Sequence, residues 1–310
     1  QVLSNIAPLG VRQEDKPEPE EPVVIHGPDM GERHCRPTRG GEPVGVQYRV
    51  RKEIHLWSDT EFSELSSAMG TFQARDADYP NSLASFVQVH PTCHMNNGPL
   101  NAFLAWHRRL LYDLETALQN ISGQCNLTLP YWNSNLEAGN PWVSRVFDPN
   151  RYGGRPVCSS ELGGVDGDAC TGNLSIPDGQ PCRGQNANST CIVDGMAGAW
   201  VMNSEASPGD CARCVDRNPR TNALHPFALV MEVLSSERFA RFENATDVLE
   251  AVHNMLHAVI VNGDMGSVPG SPKDPIFFLH HAYIDRLFNF WQVFNHLTRG
   301  LDTSTCEACK

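Results

Sequence analysis

The sequence predicts a mainly α-helical domain carrying a long disulfide-rich loop insertion, and three observations lead there. Apolar residues recur at helical spacing in several long stretches, strand signals are few and short, and cysteines crowd into one Gly- and Asn-rich region at about 150–220 that has too few apolar residues to build a core. With 40% hydrophobic residues in 310, the chain can bury one large core or two small ones. One domain over 46–310 accounts for the pattern, preceded at 1–45 by an extended arm rich in proline and charge, for example Lys16 to Pro22. No internal repeat of fixed period is present.

Regular structure is expected from Tyr48 onward. Ser58 with Glu61 three residues later forms a capping box that opens a helix running to Met69. A second helix is expected from Ser82 to His90, with Leu83, Phe86, Val87 and Val89 apolar, stopping at Pro91. The third, Leu100 to Gln119, places Phe103, Leu104, Trp106, Leu110, Leu111, Leu114 and Leu118 on a core-facing side. Residues 123–222 read as loop apart from a buried stretch, Leu129 to Trp132. Helical patterning returns at Pro226 to Leu234, Asp247 to Val261 and Asp274 to Leu297. The whole reads as two pairs of core helices around one core.

Export is indicated twice over. Five Asn-X-Ser/Thr acceptors for N-glycosylation stand at Asn120, Asn126, Asn173, Asn188 and Asn244. Of eleven cysteines, Cys158, Cys170, Cys182, Cys191, Cys211 and Cys214 lie in or near the insertion, where disulfides would have to replace a core. A zinc module on Cys211 and Cys214 lacks a second pair of matching spacing. The chain is therefore expected in the secretory pathway or outside the cell, with Gln1 as a mature N-terminus. Its formal net charge of −12 disfavours nucleic acid as a partner, and no apolar run is long enough for a transmembrane segment.

The histidines carry the chemistry. In AVHNMLHAV, His253 and His257 are four apart on an apolar helix, so both imidazoles leave the same face. His280 and His281 follow in DPIFFLHHAYID, supplying a third donor, and three imidazoles with an open position suit copper or zinc rather than magnesium or calcium. Upstream, His90 ends one helix, His94 follows it, and His107 stands in FLAWHRRLL. Imidazoles buried among Phe, Leu and Trp cost free energy unless something satisfies them, and a pair of metal ions does so.

With FLAWHRRLLYDLE, LTLPYWN, and VHNMLH continued by NGDMGSVPGSPKDPIFFLHHAYIDRLFNFW, the chain resembles the type 3 copper family of tyrosinases, catechol oxidases and molluscan haemocyanins. The order and spacing resemble those of animal tyrosinases, over roughly Tyr48 to Trp291. The resemblance implies a helical bundle holding two copper ions between two helix pairs. It assigns His253, His257 and His281 to the second copper, with His281 favoured over His280, and His107 to the first. The family's histidine nine residues before His107 is Gly98 here, so His94 becomes the candidate, with His90 as the remaining ligand. Cys93 is the candidate for a thioether to a histidine; a disulfide or a buried thiol are its alternatives.

The same resemblance implies ortho-hydroxylation of monophenols and oxidation of o-diphenols to o-quinones with dioxygen, on phenolic small molecules or peptide tyrosines. Asn254 matches an asparagine that holds a water near the coppers, with Glu243 as its acidic partner and Glu250 as the rival. Val268 matches a position overhanging the site, where a small side chain admits monophenols. Asp285, one turn after His281, is expected to bond an imidazole or an arginine from the first helices. Trp106, Trp132, Phe278 and Trp291 are expected to pack the core. Alternatives are a catechol oxidase only, a haemocyanin-like oxygen carrier, a zinc-binding relative, or a secreted binding module with a vestigial core. Monomer and homodimer both remain open.

Overall fold

Residues 38–39, 42–43, 49–75, 82–96, 102–154, 192, 194–200, 215–217 and 223–299 are described by the computed structural model, with the backbone alone for 38–39, 42–43, 92–96, 102 and 298–299. Most of the proposed arm, most of the cysteine-rich insertion, and the acceptors Asn173 and Asn188 lie outside these residues. Within the arm, β1 (Thr38–Arg39) pairs antiparallel with β2 (Glu42–Pro43).

Seven α-helices follow among the described residues. Helix α1 (Asp59–Gln73) begins with the expected capping box: Ser58 Oγ accepts from the Glu61 N–H, and Glu61 accepts from the Ser58 N–H. A cap of this kind contributes about 1 kcal/mol. Leu65, Ala68, Met69 and Phe72 form its buried face. Helix α2 (Leu83–Asn96) corrects the expected stop, because it continues through Pro91. Proline removes one backbone donor, but its φ is already helical, so the turn that follows it is not opposed.

Helix α3 (Ala102–Ser122) buries Leu104, Leu110, Leu111, Leu114 and Leu118, the side read from the sequence. The chain then returns through Leu129–Trp132, where Tyr131 and Glu53 form a parallel bridge and Trp132 is fully buried. Inside the expected loop region, short 3-10 turns and a five-residue helix, α4 (Gly195–Ala199), give local order. Helix α5 (Phe227–Ser235) precedes α6 (Phe242–Met255), which starts earlier than its apolar spacing suggested. At Leu256–Val261 the backbone widens into a π-helix, and Asn262 N–H bonds His257 O, five residues back. Helix α7 (Ile276–Arg299) closes the core with Phe277, Phe278, Ile284, Leu287 and Trp291 buried.

The helices pack in series, α1 on α3, α3 on α7 and α7 on α6, with α5 against α6 and α7. A largely buried ion network ties this stack at its centre. Glu115, with no exposed side-chain surface, takes both Arg51 Nε at 2.7 Å and the Leu129 N–H at 3.1 Å. Arg51 Nη1 also reaches Asp285 at 2.8 Å, and Arg108 Nε donates to the other oxygen of the same carboxylate. Asp285 thus binds arginines from the N-terminal half, one of the two partners foreseen for it, and locks α7 to α3.

Candidate metal centre

Five histidines from four helical segments and the π-helix meet in the core: His90 on α2, His107 on α3, His253 on α6, His257 on the π-helix, and His281 on α7. His90 Nε2 lies 3.3 Å from His107 Nε2. In the other half, His281 Nε2 lies 3.2 Å from His253 Nε2 and 3.3 Å from His257 Nε2. The two halves face each other, since the His107 and His281 rings stack at 4.0 Å and 11°. The proposed ligand His94 and its neighbour Cys93 are on α2, but their side chains lie outside the described residues.

The contact between His90 and His107 is not an ordinary hydrogen bond. His90 Nδ1 donates to Val268 O at 2.7 Å, His107 Nδ1 to Phe103 O at 2.8 Å, and His257 Nδ1 to Met265 O at 2.7 Å. Each of these bonds fixes the neutral tautomer with the proton on Nδ1 and the lone pair on Nε2. The Nε2 lone pairs of His90 and His107 therefore meet with no proton between them, and His257 turns its own toward His281 in the other half. Two imidazoles bound to one ion at about 2.0–2.1 Å with near-tetrahedral angles stand about 3.3 Å apart. The donor set fits a soft-to-borderline ion such as copper or zinc.

Burial, reinforced by neighbouring imidazoles, holds His253, His280 and His281 well below the usual histidine range of about 6.5, which keeps them neutral and able to ligate. The unfolded chain takes up protons as pH falls below about 6.5, whereas these folded histidines resist. Stability of the metal-free protein is therefore expected to fall between pH 6.5 and about 5 and to be flat above. Urea midpoints that hold steady or rise across that interval would contradict it.

His280 competes with His281 for the role of third donor. One nitrogen each from His253, His257 and His280 also fall within 4.8 Å of one another. His281 makes the tighter approach, however, and His280 Nε2 is engaged with the His253 backbone oxygen at 3.2 Å. His281 thus stands at the shorter distances, while His280 Nε2 ties α7 to α6 through the His253 carbonyl.

Phe103 and Phe277, read from sequence only as apolar helix residues, were not tied there to the histidines. Phe103 packs edge-on to His107 and His253, each at 4.8 Å, and Phe277 lies 4.2 Å from His281 and 5.1 Å from His90. Each stands four residues before a candidate ligand, so the same helical spacing that pairs the histidines could have found them. Of the expected packing aromatics, Trp132, Phe278 and Trp291 are buried in the core, and Trp106 is half-buried beside His107.

Asn254 is exposed at the rim, and its Oδ1 lies 3.0 Å from His253 Nδ1. Glu243 requires correction as its partner. It occupies the first turn of the same helix, eleven residues earlier, which is about 16 Å along the axis and too far for one shared water. Glu250, half-buried and one turn before Asn254, is within reach. Val268 is half-buried, and its carbonyl anchors His90, which places this residue at the edge of the first half. Of the acceptors within the described residues, Asn126 is exposed and Asn120 and Asn244 are half-buried.

Residues 66–293 match the model of the common central domain of tyrosinase. A tyrosinase of Oryzias latipes is 31% identical over 61% of this chain and 36% of its own length. A tyrosinase-like protein of Pinctada maxima is 27% identical over 82% of this chain and 52% of its own length. The chain thus spans about a third to a half of these curated relatives. Among solved structures, a mutant form of a polyphenol oxidase from Thermothelomyces thermophila superposes with TM-score 0.58 at 24% identity, covering 83% of this chain and 73% of that one. A functional unit of Octopus hemocyanin gives 0.52 at 21%, covering 84% and 57%. These two likenesses concern the helical fold.

Proposed function

Because the chain belongs to the tyrosinase family, we propose that it is a dicopper phenoloxidase that hydroxylates monophenols at the ortho position and oxidises o-diphenols to o-quinones with dioxygen. The observation that carries this reading is the convergence of imidazole Nε2 atoms from two facing halves, His90 with His107 and His253 with His257 and His281. His94 completes the first half in this proposal. Two copper ions held there would supply the electron transfer between dioxygen and the phenol.

The chain's own residues set the conditions. Main-chain carbonyls hold three imidazoles in the ligating tautomer, so little reorganisation is needed when metal arrives. Phe103 and Phe277 keep water from the histidine cluster. A phenol with an ordinary pKa of about 10 must lose its proton before attack at neutral pH. Asn254, at the exposed rim, is suited to hold the water that takes this proton, with Glu250 as the carboxylate beside it. Val268 leaves room for a monophenol ring, whether of a small molecule or a peptide tyrosine. The acceptors at Asn120, Asn126 and Asn244 and the cysteine-rich insertion support a secreted glycoprotein stabilised by disulfides. Among the described residues no helix is long and apolar enough to cross a membrane.

Metal analysis with paired assays on a monophenol and a catechol tests the proposal, since a carrier or a zinc protein would oxidise neither. Asn254→Asp sharpens it. Aspartate keeps an acceptor for His253 Nδ1 but loses the amide donors that would hold the water. Monophenol turnover is expected to fall by at least about tenfold more than catechol turnover. Equal losses on both substrates would remove Asn254 from the proton path.

A further inference from the structure

Both halves of the metal centre lean on one short loop. Met265 O holds His257 and Val268 O holds His90, each at 2.7 Å. These carbonyls are three residues apart in the segment 262–270 that joins the π-helix to the turn before α7. Any displacement of the segment swings one imidazole of each half together.

The loop holds part of its shape by itself, with Ser267 N–H on Asp264 O and Gly270 N–H on Ser267 O, and part through contacts from outside. Asn262 begins it at φ 48° and ψ −150°, and is the one non-glycine with positive φ among the described residues. Such a conformation is strained for a residue with a side chain and persists where surrounding contacts impose it. The contacts from outside the loop include those of Val215–Arg217, a tripeptide within the cysteine-rich insertion. Asp264 N–H donates to Asp216 O at 2.8 Å, and Asp216 N–H returns to Asp264 Oδ2 at 2.9 Å. Gly263, at φ +60°, lets the backbones touch, because a Cβ there would stand 2.2 Å from Asp216 O. Asp264 is 2% exposed, so this exchange is shielded from water.

We propose that the Asp264–Asp216 contact is a positioning brace that sets the two loop carbonyls, and through them the aim of His257 and His90. The insertion, which supplies none of the candidate ligands, thereby governs metal affinity in both halves. This rests on the dicopper reading, and Asp264 acts as a positioning residue.

Competition with a copper chelator, on the full chain, tests it. Asp264→Ala is expected to weaken both copper sites by about 10–100-fold, the loss typical of an outer-shell partner. Asp264→Asn, whose amide oxygen still accepts from Asp216 N–H, is expected to stay within about threefold of wild type. The thermal midpoint of each metal-free protein is recorded alongside. A lowered midpoint with unchanged affinities overturns the brace, and so does a loss confined to one copper or no rescue by Asp264→Asn. Should Asp264→Ala not fold, Asp264→Glu, which pushes the two backbones apart by one methylene, reads the same two affinities with the same expected loss. A wild-type chain that takes up no copper overturns this inference together with the reading beneath it. Two coppers in wild type with unchanged affinities in the variant overturn the inference alone.

Discussion

Replacing His281 by alanine is expected to leave the chain with one copper ion in place of two and to abolish quinone formation, whereas His280→Ala is expected to keep both ions. His281 Nε2 stands 3.2 Å and 3.3 Å from the two other donors of its half, and its ring stacks on His107 across the centre. Its removal takes away a donor and also the face-to-face contact between halves. The loss should exceed the roughly 10–100-fold that an outer-shell change costs. His280 acts through the His253 carbonyl at 3.2 Å, so its loss should stay within that range. Copper counted per chain, with catechol oxidation measured on the same samples, decides between them. If His280→Ala loses an ion and His281→Ala retains both, the assignment of the two neighbours is reversed.

How much of this was legible depended on whether the signal was in side chains or in the backbone. The capping box at Ser58 and Glu61 and the core side of α3 are local side-chain patterns, and the structure contains both. The convergence of His90, His107, His253, His257 and His281 could also be anticipated, from the four-residue spacing of His253 and His257 together with the family resemblance. For Asp285 the sequence offered an imidazole or an arginine as partner, and the structure supplies two arginines, Arg51 and Arg108.

Other features left no mark on residue identity. The π-helix at Leu256–Val261 has the same four-residue histidine spacing as an α-helix would, so periodicity could not reveal it. The carbonyls of Phe103, Met265 and Val268 anchor three imidazoles, yet every residue type offers a carbonyl. Glu243 was misplaced because family spacing was carried over without the rise of the helix it stands on. Pro91 read as a stop because a missing donor penalises a helix without forbidding one.

Arg217 offers the other large effect, this time on stability. Arg217 and Asp274 form an ion pair with no exposed side-chain surface on either partner, joined at 2.7 Å and 2.9 Å. The same guanidinium donates to the carbonyls of Tyr152, Gly153 and Gly154. Substituting methionine would leave a buried carboxylate without its counter-charge and take a donor from those three carbonyls. A loss of about 3–5 kcal/mol in unfolding free energy is expected from breaking one side of such a pair. Arg217→Met with Asp274→Asn should recover part of it, because the double variant buries no unpaired charge. Denaturant titration of the metal-free proteins measures both, and a single-variant loss under about 1 kcal/mol would contradict the expectation. The consequence reaches the metal centre, because Asp274 Oδ1 also accepts the Ile276 N–H at 2.9 Å, at the first residue of the helix that carries His281. One arginine from the insertion therefore fixes the start of a ligand helix, while its neighbour Asp216 touches the loop that aims two further histidines.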